Sequence, residues 1–97
     1  MPDRRRGIVV NWKIVYTKAA ANDIPKLKAA HLATKARALI DILRENPFQT
    51  PPPYEKLRGN LQGTYSRRLN IQHRLVYEVL EDEHIIKVVS MWTHYEF

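Results

Sequence analysis

Residues 64–92, TYSRRLNIQHRLVYEVLEDEHIIKVVSMW, decide the fold. Three β-rich runs follow one another there: 64–71, 74–81 and 84–92, separated only by Gln72-His73 and Asp82-Glu83. Gaps that short join antiparallel neighbours. Alternation sorts the middle run into an apolar face, Leu75, Tyr77 and Val79, and an outer face, Arg74, Val76 and Glu78. Leu69 belongs with the apolar set, which leaves Arg68 and Asn70 outside. Because side chains alternate strictly, the hairpin must then contain an odd number of loop residues or a bulge, and a two-residue loop at Gln72-His73 would turn Leu69 outward. With an odd loop, Arg68 and Arg74 stand side by side on the outer face. Two adjacent guanidinium groups repel unless an anion lies between them, so the pair is a candidate anion site. The alternative is that each pairs with a carboxylate such as Glu78.

Upstream, residues 8–16 (IVVNWKIVY) are β-branched and aromatic, which predicts a strand. Thr17 is a helix cap for KAAANDIPKLKAA, with Pro25 expected to kink or restart that helix. From His31 to Glu45, Leu32, Ala36, Leu39, Ile40 and Leu43 fall on one helical face, and Pro47 follows the end. Residues 46–54 (NPFQTPPPY) read as a stiff, polyproline-like connector, and 55–61 lead into the sheet with a short strand. Helices followed by a run of strands indicate an α+β fold: a small antiparallel twisted sheet with two N-terminal helices on one face and the other face open.

Ninety-seven residues make one domain with a thin core. The expected division is a disordered basic extension at 1–7 (MPDRRRG) and a single domain at 8–97. An apolar share of 44% excludes a wholly disordered chain, and the absence of cysteine excludes disulfides, thiol chemistry and thiolate metal sites. His31, His73, His84 and His94 show no ligand spacing, so no metal and no cofactor is expected; His31 should end the first helix, His73 sit in a hairpin and His84 start a strand. Apolar runs are too short to cross a membrane and no signal sequence follows the basic start, so a cytoplasmic protein is expected. The formal charge is +6, and it is concentrated: Lys56, Arg58, Arg67, Arg68 and Arg74 face only Glu55 within residues 55–74. Such a cluster suits phosphate, and hence nucleic acid.

The ordered motifs Pro53-Tyr54-Glu55-Lys56-Leu57, Leu61-x-Gly63-x-Tyr65-Ser66-Arg67-Arg68, Gln72-His73-Arg74-Leu75-Val76-Tyr77 and Ser90-Met91-Trp92-Thr93-His94-Tyr95 resemble the YoeB/Txe branch of the RelE superfamily of bacterial toxins. The resemblance spans residues 10–96. It implies the toxin of a type II toxin–antitoxin pair, a ribosome-dependent endoribonuclease with a microbial-RNase fold, neutralised by a YefM/Phd-like antitoxin. It further implies a homodimer, and operator DNA bound only through the antitoxin complex. Matched residue by residue, it makes Glu55 the general base, Arg74 the phosphate-binding catalytic arginine and His94 the general acid. Arg58, Arg68, Arg67, Lys56 and Tyr95 are then expected to contact substrate. Glu96 and Phe97 extend the chain past the His-Tyr pair, where some members end.

Metal-free RNA cleavage needs a base for the 2′-OH, an acid for the leaving 5′-oxygen and cations for the crowded phosphate. Neighbouring arginines hold a carboxylate in its charged form, which counts against Glu55 as a base in the free protein. Tyr65, Tyr95 and Trp92 are candidates for stacking on bases, with core packing the stronger expectation for Trp92. Two other readings stay open: a non-catalytic gyrase inhibitor of the ParE kind, and a passive RNA-binding module. For Glu55, an ordinary salt bridge to Arg58 or Arg74 is also open.

Overall fold

The computed structural model describes residues 11–57 and 63–93. The basic extension, Arg58, His94, Tyr95 and the Glu96-Phe97 end all lie outside the described residues. The element order is β1 (Lys13–Tyr16), α1 (Lys18–Ala29), α2 (Ala33–Glu45), β2 (Tyr54–Lys56), β3 (Thr64–Arg68), β4 (Arg74–Leu80) and β5 (Ile85–Thr93).

Thr17 starts α1 as expected: its hydroxyl oxygen accepts from the Ala20 N–H at 3.0 Å. Pro25 does not restart the helix, which runs on to Ala29. Pro25 and Ala21 are both exposed, so the carbonyl that loses its donor is solvated. His31 does end the helix. It adopts φ 60°, its N–H returns to the Lys28 carbonyl, and the Leu32 N–H returns to Leu27, which closes the last turn. Across α2, Ala36, Leu39, Ile40 and Leu43 are buried, matching the apolar stripe.

The sheet order is β1-β5-β4-β3-β2. The pairs β2/β3, β3/β4 and β4/β5 are antiparallel, but β1 runs parallel to β5, so the sheet is mixed rather than wholly antiparallel. Two helices between β1 and the rest of the sheet allow the chain to return beside its first strand in the same direction. Beyond Tyr16, β1 leaves the edge of β5, and α1 takes over. The Thr17 hydroxyl donates to the Val89 carbonyl at 2.7 Å, and the Met91 N–H donates to the buried Asp23 carboxylate at 3.0 Å.

Helices cover one face, where Leu69, Leu75, Tyr77, Val79, Ile86 and Val88 meet Ala20, Leu27, Leu39 and Leu43. The β3–β4 hairpin spans residues 69–73, an odd number, as parity requires. The Asn70 side chain sets this turn by accepting from the Gln72 and His73 N–H groups at 2.8 and 2.7 Å. β3 therefore ends at Arg68 rather than 71, and Ile71, 91% exposed, sits at the loop tip. Arg68 and Arg74 are direct cross-strand partners, so they share the helix-free face. That face is less open than alternation suggested, since Thr64, Ser66, Arg74 and Val76 are all buried on it. The connector 46–53 is not one polyproline run, since it turns at Pro47-Phe48 and bends at Pro51-Pro52.

Candidate phosphate-binding and catalytic site

Register fixes which side chains converge. Glu55 pairs with Ser66, and Arg68 with Arg74, so all four project from the helix-free face of three adjacent strands. Arg74 begins the central strand and lies across β3. Its Nε donates to the Ser66 hydroxyl at 3.1 Å, and its Nη2 donates to the Glu55 carboxylate in a close ion pair. The cross-strand repulsion between Arg68 and Arg74 is thus partly offset by Glu55, whereas Glu78 pairs with Lys87 at 3.6 Å. Arg68 is exposed and makes no ion pair with any described residue. A cleft of about 260 Å³ is lined by Pro53, Glu55, Arg68 and Arg74. Two cations and one carboxylate leave it with a net positive charge, suited to a singly charged phosphodiester. Glu55 is half-exposed, while the Arg74 side chain retains only 8% of its exposure. The anion holder is therefore fixed and the carboxylate accessible.

Ser66 is a site residue that the sequence reading missed. It is fully buried and steers the Arg74 guanidinium. The signal was present, because Ser66 shares strand parity with Arg68 and lies diagonal to Arg74.

Two expected phosphate ligands are displaced from the cleft. Lys56 pairs with Tyr65, which places it on the opposite side of β2 from Glu55. Arg67 is 0% exposed on the helix-covered face. Its Nε donates to the Tyr77 hydroxyl at 3.1 Å, Nη1 to the Pro52 carbonyl at 2.6 Å and Nη2 to the Pro47 carbonyl at 2.9 Å. Every guanidinium nitrogen is committed, so Arg67 does not reach phosphate. Tyr65 is likewise not a base-stacking platform: its ring meets Phe48, Tyr54 and Tyr77 at 5.5–5.9 Å. Trp92 packs against the core and stacks on His73 at 3.8 Å. Arg58, His94 and Tyr95 lie outside the described residues.

Burial pushes the Tyr77 phenol up to about 12, with the Arg67 charge and hydrogen bond opposing. In the unfolded chain a tyrosine loses its proton near 10. Stability from this group is therefore complete below about pH 10 and is lost as pH rises toward 12, because only the unfolded state gains by deprotonation in that window. Urea midpoints are expected to fall between pH 9 and 11, and to fall less in Tyr77→Phe. An identical fall in both proteins would exclude Tyr77 as the source.

A basic cleft beside a carboxylate, on the helix-free face of a five-stranded mixed sheet, defines an α+β protein with a candidate anion site. Residues 16–95 match the family described as YoeB-like toxin of bacterial type II toxin-antitoxin system, and the chain belongs to that family. A Toxin YoeB of Synechocystis sp. is 37% identical over 75 residues, covering 77% of this chain and 78% of that protein. The solved YoeB/ParE toxin from Agrobacterium tumefaciens superposes with a TM-score of 0.77 at 29% identity, covering 86% of this chain and 99% of that one. A chain of the YoeB-YefM complex from Staphylococcus aureus gives a TM-score of 0.71 at 33% identity, over 87% and 98% of the two chains. A YoeB dimer from the same species aligns with a TM-score of 0.72.

Proposed function

We propose that this toxin is an endoribonuclease that cuts mRNA in the decoding site of the ribosome, without a metal or other cofactor. The observation that carries this reading is the convergence of Arg68, Arg74 and Glu55 on one cleft. A scissile phosphate held by Arg68 and Arg74 lies within reach of a carboxylate that can take the 2′-OH proton. The 2′-oxygen attacks phosphorus, the bond to the 5′-oxygen breaks, and His94 protonates the leaving oxygen. The products are a 2′,3′-cyclic phosphate and a 5′-hydroxyl. In the free chain Arg74 holds the Glu55 carboxylate. An entering phosphodiester gives Arg74 a second anion and releases Glu55 for proton transfer, which suits an enzyme that works only on the ribosome.

A YefM/Phd-like antitoxin with an acidic segment is the neutralising partner in this reading, as YefM partners the S. aureus YoeB, and operator DNA is met through that complex. Homodimerisation, as in the S. aureus dimer, and a cytoplasmic site of action complete it. Among the described residues no helix is long and apolar enough to cross a membrane. The test is incubation with programmed ribosomes and mapping of the product ends. Cyclic phosphate and 5′-hydroxyl ends, formed equally when chelator is added to the preformed complex, support the reading. Intact mRNA with inhibited DNA gyrase would replace it with the ParE-like one.

A further inference from the structure

We propose that Arg67 is a positioning residue for Glu55: it gathers the α2–β2 connector onto the sheet and so sets where the catalytic carboxylate stands. The inference rests on the assignment of Glu55 as general base and adds a residue that touches neither phosphate nor the reacting atoms.

The starting observation is an energetic oddity. A fully buried guanidinium costs several kcal/mol in lost hydration unless its donors and its charge are answered. Among the described residues Arg67 has no carboxylate partner. Its partners are the Pro47 and Pro52 carbonyls and the Tyr77 hydroxyl, with the Tyr54 ring 5.1 Å from the guanidinium carbon. A leucine or methionine would fill the same core without that cost, so the donors themselves are what the site requires.

The connector explains why. Residues 46–53 contain Pro47, Pro51, Pro52 and Pro53. Proline brings a carbonyl but no N–H, so this segment is rich in acceptors and poor in donors. Such a segment cannot dock by strand-like exchange of N–H and C=O bonds. It needs a partner that only donates, over several directions at once, and arginine is the side chain built that way. Arg67 bonds carbonyls at both ends of the connector, 20 and 15 residues upstream. Tyr77 reinforces the far end by donating to the same Pro47 carbonyl at 3.3 Å.

The consequence reaches the cleft through one short strand. β2 has three residues and is an edge strand, bonded among the described strands only to β3. Tyr54, its first residue, is the register partner of Arg67 and lies on the guanidinium. Glu55 comes next, on the opposite, helix-free face, where it meets Arg74 across β3. Three residues of edge pairing hold a strand weakly, so the anchor at Pro52 and Tyr54 fixes the entry angle from which Glu55 projects.

A double-mutant cycle on the full chain tests this. Arg67→Met keeps an unbranched apolar stem and donates nothing, and Arg67→Lys keeps the charge but not the fork. Each is made alone and with Glu55→Gln. Single-turnover cleavage on saturating programmed ribosomes reads the chemical step. Exchange of the Leu57 N–H, which donates to the Thr64 carbonyl at 2.9 Å, reads the seating of β2 without reference to activity. Expected for Arg67→Met is a rate loss of about tenfold or more with ribosome affinity within about twofold, and less than about twofold further loss once Glu55 is already Gln. Leu57 should exchange about tenfold faster while β4 amides keep their protection. Arg67→Lys should fall between wild type and Arg67→Met, and carries the same readouts if the methionine variant does not fold. A wild-type rate and wild-type Leu57 exchange in a folded variant overturn the proposal, and so does an equal rate loss in both backgrounds. If the wild-type chain cuts no mRNA, the endonuclease reading fails by itself. Leu57 exchange then decides the positioning role: faster exchange with β4 protected upholds it, and unchanged exchange overturns it.

Discussion

In His94→Gln, single-turnover cleavage of mRNA on saturating programmed ribosomes is expected to fall by about 10²–10⁴-fold. Glutamine keeps hydrogen-bonding capacity but has no proton to give the leaving 5′-oxygen. Glu55→Gln should fall comparably for the complementary reason. Its amide oxygen can still accept from the Arg74 guanidinium, which sits against Glu55 in the native structure, but it cannot take the 2′-OH proton. Ribosome affinity should change far less, since most of it comes from basic side chains against phosphate. Saturating ribosomes remove binding from the measured rate. Wild-type single-turnover rates in both variants would strip Glu55 and His94 of acid–base roles and assign the proton transfers to other groups.

Arg74→Ala is expected to lose both function and stability. In the proposed role of phosphate holder, Arg74 should account for roughly 10²–10³-fold in rate. Alternation alone presents it as an outward residue with little bearing on folding. In the structure it is 7% exposed and is the donor to a fully buried Ser66 hydroxyl. Truncation leaves that hydroxyl without this donor, at a cost of about 1–3 kcal/mol. The Glu55 carboxylate is half-exposed and relaxes into water, so it adds little. Thermal melts with activity normalised to folded protein separate the two losses. An unchanged melting temperature would mean that the Ser66 contact contributes nothing, and retained activity per folded molecule would remove Arg74 from the phosphate grip.

The parts of the fold legible in the sequence are those with a local period. Leu75, Tyr77 and Val79 alternate, Leu39, Ile40 and Leu43 recur at helical spacing, and parity alone forced the odd hairpin that brings Arg68 beside Arg74. The parallel pairing of β1 with β5 left no such mark, because alternation says which way a side chain points and not which strand lies beside it. Arg67 shows a subtler limit. Its parity with Leu69 already placed it on the helix side, yet an arginine beside another arginine reads as a surface charge. What holds it inside are backbone carbonyls of Pro47 and Pro52, and carbonyls carry no residue signature. Burial of Arg74 escaped for a related reason: alternation assigns a face, while depth depends on what else crosses that face.

β4, which carries Arg74, is the middle strand of five, whereas β2, which carries Glu55, is a three-residue margin. Sheets open from their margins inward, so partial unfolding does not treat the two halves of the cleft alike. On the proposed roles, the proton acceptor stands on the margin of the sheet and the phosphate holder on its middle strand. If those roles hold, warming or mild denaturant is expected to pass the toxin through a regime in which it still grips a phosphodiester backbone but has lost the alignment to sever it.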